Sequence, residues 1–596
     1  MGKWMVSAKK ADFNEIAKRF HIDPVIARII RNRDVVGEEE IEKFLHATTE
    51  DLYDPALLKD AEKAAEILVR KTEEKKRIRV IGDYDIDGVC AAYILKVCLE
   101  VCGGLADVVI PNRIADGYGL NGRLVEEAAR DGIDTLLTCD NGIAAAPQIA
   151  AAKAFGMTMI VTDHHEVPYE AGEDGSRIQT LPPADAVVDP KQEDCPYPYK
   201  GICGAVVAYK VMSLYLDRMC RAGAVTEEAK GALMQELLAF AGFATVGDVM
   251  ELTDENRILV KYGLKQIEQS QNPGLRALLA VNELTDKKLT GYHVGFILGP
   301  CLNATGRLDT AARALAMFSA AEQAEALSIA GELKALNDSR KEMTRRGTEQ
   351  AMEMIENSPL KDDHVLVVFL PDCHESLAGI IAGRIRERYY RPVFVLTRAQ
   401  EGVKGSGRSV EAYHMYDKMS ECRELYTRYG GHKMAAGLSM PEENVEAFRS
   451  FLNAHSGLQK EDLTEVVHID VPMPMSYVTT GLIRQFSLLE PFGNGNPRPV
   501  FAQKEVRVCR GRILGKNRNV GKYIVSDGAG HEYDMMYFGD LESWHAFLAA
   551  HFGEDAVRRL YDGSGGEMII SVVYYPDINV FRGREQLQMI MQDYSA

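Results

Sequence analysis

The chain has 596 residues, of which 46% are hydrophobic and 26% are charged, and its formal net charge is −18. This length is too great for one hydrophobic core and predicts three or four domains. The sequence contains no run of about 18 apolar residues, which excludes a membrane-spanning helix. The eleven cysteines show no paired CxxC spacing and the first residues show no signal-peptide pattern, so we expect a soluble, cytoplasmic protein. The acidic balance argues against a nucleic-acid partner, although positive charge confined to one cleft would suffice to bind one.

Residues 1–75 are predicted to form a helical segment. Apolar residues recur at helical spacing in FNEIAKRF, PVIARII and IEKFL, and more strongly in AEKAAEILVRK. We interpret this segment as scaffold.

Residues 76–310 are predicted to form an α/β domain. From RVIG to ADAVVDP, short apolar runs alternate with amphipathic helical runs, which is typical of a parallel sheet with helices on its faces. From about residue 203 the pattern is mostly helical.

Three further segments complete the predicted architecture. Residues 311–360 contain AEQAEALSIAGELKALNDSRKEMTRRGTEQAMEMIEN, which fits one long connecting helix. Residues 361–460 include HVLVVFL, SLAGIIAGRIRERYY and PVFVL and are predicted to form a second α/β domain. In residues 461–596, the runs VFAQKEVRVCRGRILG, YIVSDG and MIISVVYYPD are separated by Gly and Asn turns, which predicts a small β-barrel of the OB-fold type.

Acidic residues follow the first strand of the predicted parallel sheet. Asp83, Asp85 and Asp87 alternate in VIGDYDIDGVCAAYIL, between an apolar strand and an apolar helix. Strand ends are where α/β sheets bind ligands, and three neighbouring carboxylates repel one another unless cations neutralise them. The plainer alternative is a solvated turn in which an aspartate caps the helix.

The next strands end in residues of the same kind. Asp140 follows TLLTC, and Asp163, His164 and His165 follow MTMIVT. Because the carboxyl ends of parallel strands meet at one edge of the sheet, we expect these side chains to converge. Mixed carboxylate and imidazole ligands suit Mn²⁺ or Mg²⁺, and two ions that share a carboxylate would catalyse hydrolysis of a phosphoester.

The motifs GDYDIDG, CDNGI and DHHEVP resemble, in order and in strand context, those of the DHH phosphoesterase superfamily. Within it, PNRIADGYGL, GPCLNATGRL, VKGSGRS, GGHKMAAG and LEPFGNGNPRPVF resemble the RecJ single-strand exonucleases, and the resemblance covers about residues 78–503. It implies a DHH catalytic domain, a DHHA1-type second domain and a C-terminal OB-fold. It also implies the 5′-to-3′ degradation of single-stranded DNA to 5′-mononucleotides, for DNA repair and recombination.

The resemblance assigns roles to the acidic and histidine cluster. The residues that it implies as ligands of two cations, Mn²⁺ or Mg²⁺, are Asp85, Asp87, Asp140, His164 and Asp248. It implies that His165 is the catalytic imidazole that contacts the scissile phosphate, while Asp83 and Asp163 orient their neighbours. Asp248, in TVGDVMEL, is assigned by this motif alone.

One position departs from the family pattern. Many relatives carry a histidine two residues before the first aspartate of this motif, where this chain has Ile81. We expect a shift in metal affinity or preference there, with activity retained.

Arginines in loops and glycine-rich segments are candidates for binding the substrate backbone, because the guanidinium fork matches phosphate oxygens. The resemblance implies that Arg113, Ser406 and Arg408 form a pocket for the 5′-terminal phosphate. It assigns further substrate contacts to residues near the metals and in GGHKMAAG, namely Asn303, Gly306, Arg307, Gly431 and His432. Without the motifs, each arginine would be interpreted as a solvated surface charge.

Other functions remain open at this point. Oligonucleotide hydrolases and cyclic-dinucleotide phosphodiesterases of the same superfamily share the metal motifs, and a nonenzymatic DNA-binding scaffold would keep the fold without the metal chemistry. An exonuclease of the RecJ type would degrade long strands, whereas the hydrolases of the first alternative would act on very short oligonucleotides or cyclic dinucleotides. Metal-dependent release of mononucleotides would exclude the nonenzymatic scaffold. Besides single-stranded DNA, we expect a helicase or a single-strand-binding protein as a partner. We expect no association with a membrane.

Overall fold

The computed structural model describes residues 2–113, 116–172, 176–399, 401–565, 568–581 and 583–596. Among these residues, no helix has the length and apolar composition needed to cross a lipid bilayer. The described chain forms two α/β domains, a helical layer that connects them, and a C-terminal barrel.

The N-terminal segment contains the short helices that were predicted and one strand that was not. Its elements are β1 (Lys3–Val6), α1 (Phe13–Phe20), α2 (Pro24–Asn32), α3 (Glu38–His46) and α4 (Ala61–Glu73). The side chains of Asp12 and Asp23 cap α1 and α2, and Pro24 occupies the first turn of α2. These residues fix where the two helices begin, because they satisfy or remove free N–H groups.

The first α/β domain is built on a parallel sheet, as predicted. Its elements are β2 (Arg77–Ile81), α5 (Ile86–Val101), β3 (Leu105–Val109), α6 (Gly122–Arg130), β4 (Thr135–Cys139), α7 (Ala146–Ala154), β5 (Thr158–Thr162), the hairpin β6 (Tyr169–Ala171) and β7 (Arg177–Gln179), and β8 (Ala186–Val188). The sheet has the order β3-β2-β4-β5-β8 with all strands parallel. Leu136 and Leu137 enter different hydrophobic cores, because successive strand residues face opposite sides of a sheet.

A helical layer follows and ends in the long helix that was predicted. It comprises α8 (Gly204–Arg221), α9 (Glu227–Gly247), α10 (Asp254–Gln269), α11 (Pro273–Val281), α12 (Gly291–His293), α13 (Gly299–Leu308), α14 (Ala312–Ser319) and α15 (Gln323–Glu356). A π-helical turn, Val294–Leu298, joins α12 to α13 without a break. Helix α15 is 34 residues long and leads into the second α/β domain.

The second α/β domain has a mixed sheet. Its elements are β9 (Leu366–Phe369), α16 (Ala378–Tyr389), β10 (Val393–Arg398), β11 (Val403–Arg408), α17 (Met415–Ser420), β12 (Arg428–Gly431), β13 (Ala435–Met440) and α18 (Val445–Ala454). The order is β12-β13-β11-β10-β9, in which β9 and β10 are parallel and the other neighbours are antiparallel.

The C-terminal part confirms the predicted barrel. Its elements are β14 (Val466–Ile469), β15 (Val471–Pro472), α19 (Thr480–Gln485), β16 (Phe501–Leu514), β17 (Val520–Ser526), β18 (Glu532–Tyr537), α20 (Leu541–Phe552), α21 (Glu554–Asp562), β19 (Met568–Phe581) and β20 (Arg584–Ser595). Because β16 pairs with both β17 and β19, the strands β16, β17, β18, β20 and β19 close on themselves. Closure removes the unpaired edges that an open sheet would expose.

The N-terminal segment is divided between two hydrophobic cores. Ile29 of α2 shares a core with barrel residues such as Tyr574, whereas Leu68 of α4 belongs to the core of the parallel-sheet domain. Strand β1 pairs in parallel with β14, with Lys3 opposite Val466. The first three helices and β1 therefore form one module with the barrel.

Arg257 of α10 links the helical layer to this barrel module. Its guanidinium is buried and donates to three carbonyl oxygens, those of Phe44 at 3.1 Å, Leu488 at 2.7 Å and Leu489 at 2.8 Å. Burial lowers the pKa of Arg257 to about 10. A charged donor that satisfies three buried carbonyl groups at once makes this junction dependent on a single side chain.

Replacing this side chain should weaken the junction. We expect Arg257→Ala to lower the free energy of unfolding by about 3 kcal/mol, because the three carbonyl groups lose their donor. Urea denaturation measures the change, with Arg276→Ala, at an exposed position of α11, as the control expected to stay within about 0.5 kcal/mol. Equal effects of the two substitutions would contradict the role given to Arg257.

Candidate active site

The loop between β2 and α5 carries the three alternating aspartates. Asp85 caps α5, because its Oδ1 accepts hydrogen bonds from the N–H groups of Asp87 at 3.0 Å and Gly88 at 3.1 Å. A Cβ on Gly88 would lie 2.4 Å from the backbone nitrogen of Asp83, so only glycine allows the loop to fold this closely onto the helix. Asp85 thus fulfils the plainer prediction of a helix cap, and it also faces the neighbouring acids.

The first turn of α8 fixes two of the acids. Asp87 accepts hydrogen bonds from the N–H groups of Gly204 at 2.6 Å and Ala205 at 2.8 Å. Asp140 follows β4 with a left-handed backbone at φ 60°, and a Cβ on Gly204 would lie 2.7 Å from the Cβ of Asp140. The start of α8 therefore lies directly against the acidic cluster, where free helix N–H groups stabilise a carboxylate.

The end of β5 places Asp163 behind His165. Asp163 Oδ1 lies 2.8 Å from His165 Nδ1, and its Oδ2 accepts the N–H of Ile143 at 2.9 Å. Burial opposes ionisation of Asp163, but the hydrogen bond with His165, the charge of that ring and the N–H of Ile143 together outweigh it, and the pKa of Asp163 is lowered. Burial also disfavours the charged form of His165, but the hydrogen bond with Asp163 and the charges of Asp163, Asp87 and Asp248 together raise its pKa to about 9. The hydroxyl group of Tyr118 lies 3.1 Å from Nδ1 and 3.2 Å from Nε2 of this ring.

His164 brings the acids of three elements together. Its Nε2 lies 3.1 Å from Asp140 Oδ1, 3.6 Å from Asp87 Oδ2 and 3.8 Å from Asp248 Oδ2. Asp248 arrives from the C-terminal end of α9. The groups whose ligand atoms lie within 4.8 Å of one another are Asp87–His164–Asp248, Asp140–His164–His165 and Asp83–Asp85–Asp140. The structure therefore brings together all the residues that were predicted as metal ligands, and adds Asp83 and His165 to them.

The electrostatics of this cluster favour a cation. Burial, reinforced by neighbouring carboxylates, raises the pKa of Asp83 and of Asp248 to about 8, and it also raises the pKa of Asp85 and Asp140. Among the described residues, the buried Asp83 Oδ1, Asp140 Oδ1 and His164 Nδ1 have no hydrogen-bond partner. Buried polar atoms without partners are costly unless a ligand satisfies them. The oxygen and nitrogen donors fit Mn²⁺ or Mg²⁺.

Ile81 supplies no ligand to the cluster. Its side chain is fully buried in the core on one face of the parallel sheet. Asp83, two residues later, lies with Asp85 and Asp140 and offers a carboxylate to the same group. The position at which the resemblance led us to expect a histidine is thus apolar here, while a third acid lies nearby.

A cavity of about 450 Å³ lies beside the cluster, between the two α/β domains. The basic side chains that line it are Arg113, Arg307, Lys404, Arg408 and Arg428. Ser406, Tyr84 and Tyr118 also line it, and the Arg113 guanidinium lies 4.9 Å from the centre of the Tyr84 ring. The predicted residues Arg113, Ser406 and Arg408 therefore meet in one place, and Lys404, Arg428 and Tyr118 join them without having been predicted. Tyr118 belongs to PNRIADGYGL, so the motif was the signal available for it.

The basic groups of this cavity are held close to one another. Arg307 donates to the carbonyl oxygen of Ser376 at 2.7 Å, and burial together with Arg113 lowers its pKa to about 10. Arg408 Nη1 lies 3.3 Å from Ser406 Oγ. A Cβ on Gly379, in the first turn of α16, would lie 2.8 Å from that hydroxyl group. Arginines beside a helix N-terminus form a site suited to a phosphate group.

The other residues predicted to contact substrate have structural contacts of their own. Asn303 Oδ1 accepts the N–H of Ile86 at 2.9 Å, and a Cβ on Gly306 would lie 2.3 Å from the carbonyl oxygen of Tyr84. Both residues thus support the aspartate loop. Gly431 and His432 lie at the β12–β13 turn and do not line the cavity. Substrate contacts of these four residues stay predictions.

Family models match three parts of the chain. Residues 77–241 match the DHH family, N-terminal domain, residues 362–455 match the DHHA1 domain, and residues 469–593 match the RecJ OB domain. The first match covers the parallel sheet together with α8 and most of α9, the second covers most of the second α/β domain, and the third covers the barrel.

Individual relatives match almost the whole chain. The single-stranded-DNA-specific exonuclease RecJ of Escherichia coli (strain K12) is 31% identical, over 99% of this chain and 99% of its own length. The protein of the same name from Bacillus subtilis (strain 168) is 30% identical, over 99% of this chain and 70% of its own length. The crystal structure of RecJ in complex with Mn²⁺ from Thermus thermophilus superposes with a TM-score of 0.79 at 26% identity, over 100% of this chain and 79% of that one. This chain therefore belongs to the RecJ family of single-stranded-DNA-specific exonucleases.

Proposed function

We propose that this chain hydrolyses single-stranded DNA from its 5′ end and releases 5′-mononucleotides, with two divalent cations, Mn²⁺ or Mg²⁺. The observation that carries the proposal is the adjacency of two sites. A cluster of buried carboxylates and imidazoles that could hold metal lies beside a cavity lined by five basic side chains. Tyr118 connects them, because it lines the cavity and its hydroxyl group contacts His165.

Two groups of ligands support a pair of cations. Asp87, His164 and Asp248 would hold one ion, and Asp83, Asp85 and Asp140 the other. Asp140 Oδ1, at 3.1 Å from His164 Nε2, lies between the two groups and would bridge them. When bound, such cations activate water and stabilise the charge that develops at phosphorus.

His165 has the environment of a group that contacts the scissile phosphate. The hydrogen bond and the negative charge of Asp163 raise the pKa of this ring against the effect of burial, which favours a protonated imidazole that can donate a hydrogen bond to a phosphate oxygen or a proton to the leaving oxygen. Asp163 orients the ring through Nδ1, and Tyr118 restricts it from the cavity side. The lowered pKa of Asp163 and the raised pKa of His165 thus favour an ion pair between these two side chains.

The cavity lined by basic residues supports the 5′ polarity. A terminal phosphate carries more negative charge than an internal phosphodiester, so it gains most from Arg113, Arg408 and the N-terminus of α16. A strand whose terminal phosphate occupied this cavity would present its first phosphodiester to the metal cluster. Hydrolysis there would release one nucleotide at a time.

Gly306 and Asn303 act in this proposal by positioning the aspartate loop. The contact between Gly306 and the carbonyl oxygen of Tyr84 leaves no room for a side chain. The hydrogen bond of Asn303 fixes the first N–H of α5. Both contacts hold the loop of Asp83 and Asp85 at the distances at which the acids meet Asp140.

Incubation with strands labelled at either end tests the proposal. In Mn²⁺, we expect labelled mononucleotides to appear at once from the 5′ end, while the 3′ label stays on strands that shorten with time. Asp140→Asn, which removes the bridging charge, should lower the rate by roughly a thousandfold and abolish the rise in melting temperature that Mn²⁺ gives the wild type. Asp338→Asn, at an exposed position of α15, is the control. Mononucleotides that appear first from the 3′ label would exclude the proposed polarity.

Truncation of Arg408 tests the pocket for the terminal phosphate. We expect Arg408→Ala to lower kcat/KM for a 5′-phosphorylated strand by roughly 10- to 100-fold, because charge-assisted hydrogen bonds are lost. A strand with a 5′-hydroxyl group should be affected much less. The matched control is Arg423→Ala, at an exposed position outside the cavity. An identical loss on both strands would show that Arg408 does not read the phosphate.

A pair of glycine substitutions tests the positioning of the loop. Gly306→Ala should reduce the rate of hydrolysis by roughly 10- to 100-fold and stability by about 1–3 kcal/mol, because the added methyl group displaces the aspartate loop. Gly331→Ala, in α15 with no atom within 4 Å of the new Cβ, should leave activity unchanged and stabilise the helix by up to about 1 kcal/mol. The measurements are kcat and the temperature of thermal denaturation. If the two variants gave the same values, the role assigned to Gly306 would be wrong.

A further inference from the structure

The first turn of α10 carries two fully buried polar side chains, Glu255 and Asn256, that take no part in the proposed reaction. The amide nitrogen of Asn256 donates to the carbonyl oxygens of Gly201 at 2.7 Å and Glu251 at 3.0 Å. Its Oδ1 has no hydrogen-bond partner in the described part of the chain, so the side chain acts through its N–H donors. Because buried carbonyl groups are costly to leave unpaired, this one amide holds two segments of the chain together.

One of these two segments leads into α8. Gly201 precedes Gly204, the first residue of the helix, by three residues. The N–H of Gly204 donates to the carboxylate of Asp87 at 2.6 Å. A shift of Gly201 would therefore carry the first turn of α8 away from Asp87 and remove the donors that stabilise its charge.

The other segment leaves α9 just after Asp248, which Glu251 follows by three residues. Among the described residues, no group donates a hydrogen bond to the Asp248 carboxylate, and Nε2 of His164 lies 3.8 Å away, beyond hydrogen-bond distance. Asp87, in contrast, accepts two hydrogen bonds. The position of Asp248 therefore depends on how the backbone around it is held.

Glu255 fixes α8 at a second point, through a buried ion pair. Its Oε1 lies 2.6 Å from Lys210 Nζ of α8 and accepts the N–H of Tyr53 at 3.0 Å. The hydroxyl group of Tyr197 donates to Oε2, and Lys210 also donates to the carbonyl oxygen of Tyr53 at 2.7 Å. Removal of either charge would leave the other buried and unpaired, which is strongly unfavourable. The pair therefore holds α8 in place against α10.

We propose that Asn256 and Glu255 are positioning residues of the acidic and histidine cluster. They hold the start of α8 and the end of α9 at a fixed separation. They thereby set the affinity for the cation that Asp87, His164 and Asp248 would bind, since groups behind the ligands of a metal site determine how well the ligands are placed. This inference rests on the proposed function and adds to it the residues that determine the affinity for one of its two cations.

The second group of candidate ligands provides an internal control. Asp83, Asp85 and Asp140 lie in the loops that follow β2 and β4. Within the described ranges of the chain, no hydrogen bond joins them to Asn256 or Glu255. Loss of a positioning residue should therefore weaken one cation site far more than the other, whereas a general loss of stability would affect both sites.

Titration of the protein with Mn²⁺ in the absence of DNA tests the inference, with the free ion measured by electron paramagnetic resonance. We expect the wild type to bind two ions and Asn256→Ala to bind one of them roughly 10- to 100-fold more weakly. The matched control is Asn453→Ala, which removes an amide that donates to the carbonyl oxygens of Val365 at 2.9 Å and Arg449 at 3.1 Å in the second α/β domain. This control should leave both affinities unchanged. Unchanged affinities in Asn256→Ala, or equal losses at both sites, would overturn the inference.

A second variant covers a failure of Asn256→Ala to fold. Glu255→Gln keeps the shape of the side chain and removes the charge that holds Lys210. We expect the same cation site to be weakened, by roughly tenfold, and a higher concentration of Mn²⁺ to restore the rate of hydrolysis. A defect of folding alone would not respond to the ion, so a rate that stays low at saturating Mn²⁺ would contradict the positioning role.

The titration also keeps this inference separate from the proposed function, because it records metal binding alone. If the wild type bound two Mn²⁺ ions but released no mononucleotides, the proposed function would fail. Selective weakening of one site in Asn256→Ala would then still establish the positioning role. If the wild type bound no Mn²⁺, both the proposed function and this inference would be wrong.

Discussion

Repulsion among buried carboxylates is the constraint on which the active half of the molecule depends. Asp83, Asp85 and Asp140 lie within shared coordination distance; burial raises the pKa of each, and the charges of neighbouring carboxylates raise it further. Strand ends, the first turn of α8 and the close packing at Gly306 hold these groups together in spite of that repulsion. Because divalent cations relieve it, metal binding and the stability of this region are linked.

The distribution of charge follows from the same constraint. The chain carries a net charge of −18, yet basic side chains line the cavity of Arg113 and Arg408. Local fields in clefts decide where a polyanion binds, whereas net charge mainly affects solubility. The cavity of Arg113 and Arg408 is therefore a favourable place for a phosphate-bearing ligand on an acidic protein.

The sequence alone was sufficient for features that arise from local patterns. Parallel strands place their ends at one edge, so the convergence of Asp140 and His164 followed from the alternation of strands and helices. The same reasoning could not predict contacts between segments that are distant in the sequence. Asp248 reaches the cluster from a helix end, and its assignment rested on family resemblance. The partners of Arg257 and the pairing of β1 with β14 depend on contacts between opposite ends of the chain, and no local pattern encodes those contacts.

That pairing has a consequence for biosynthesis. The helices α1 to α3 complete the barrel module, so during translation their apolar faces emerge from the ribosome long before any barrel strand exists. At ordinary elongation rates the delay is roughly 20 to 90 s. In that interval the nascent helices must remain unassembled or be shielded by chaperones, and the barrel module can close only after its last strand, β20, has been synthesised.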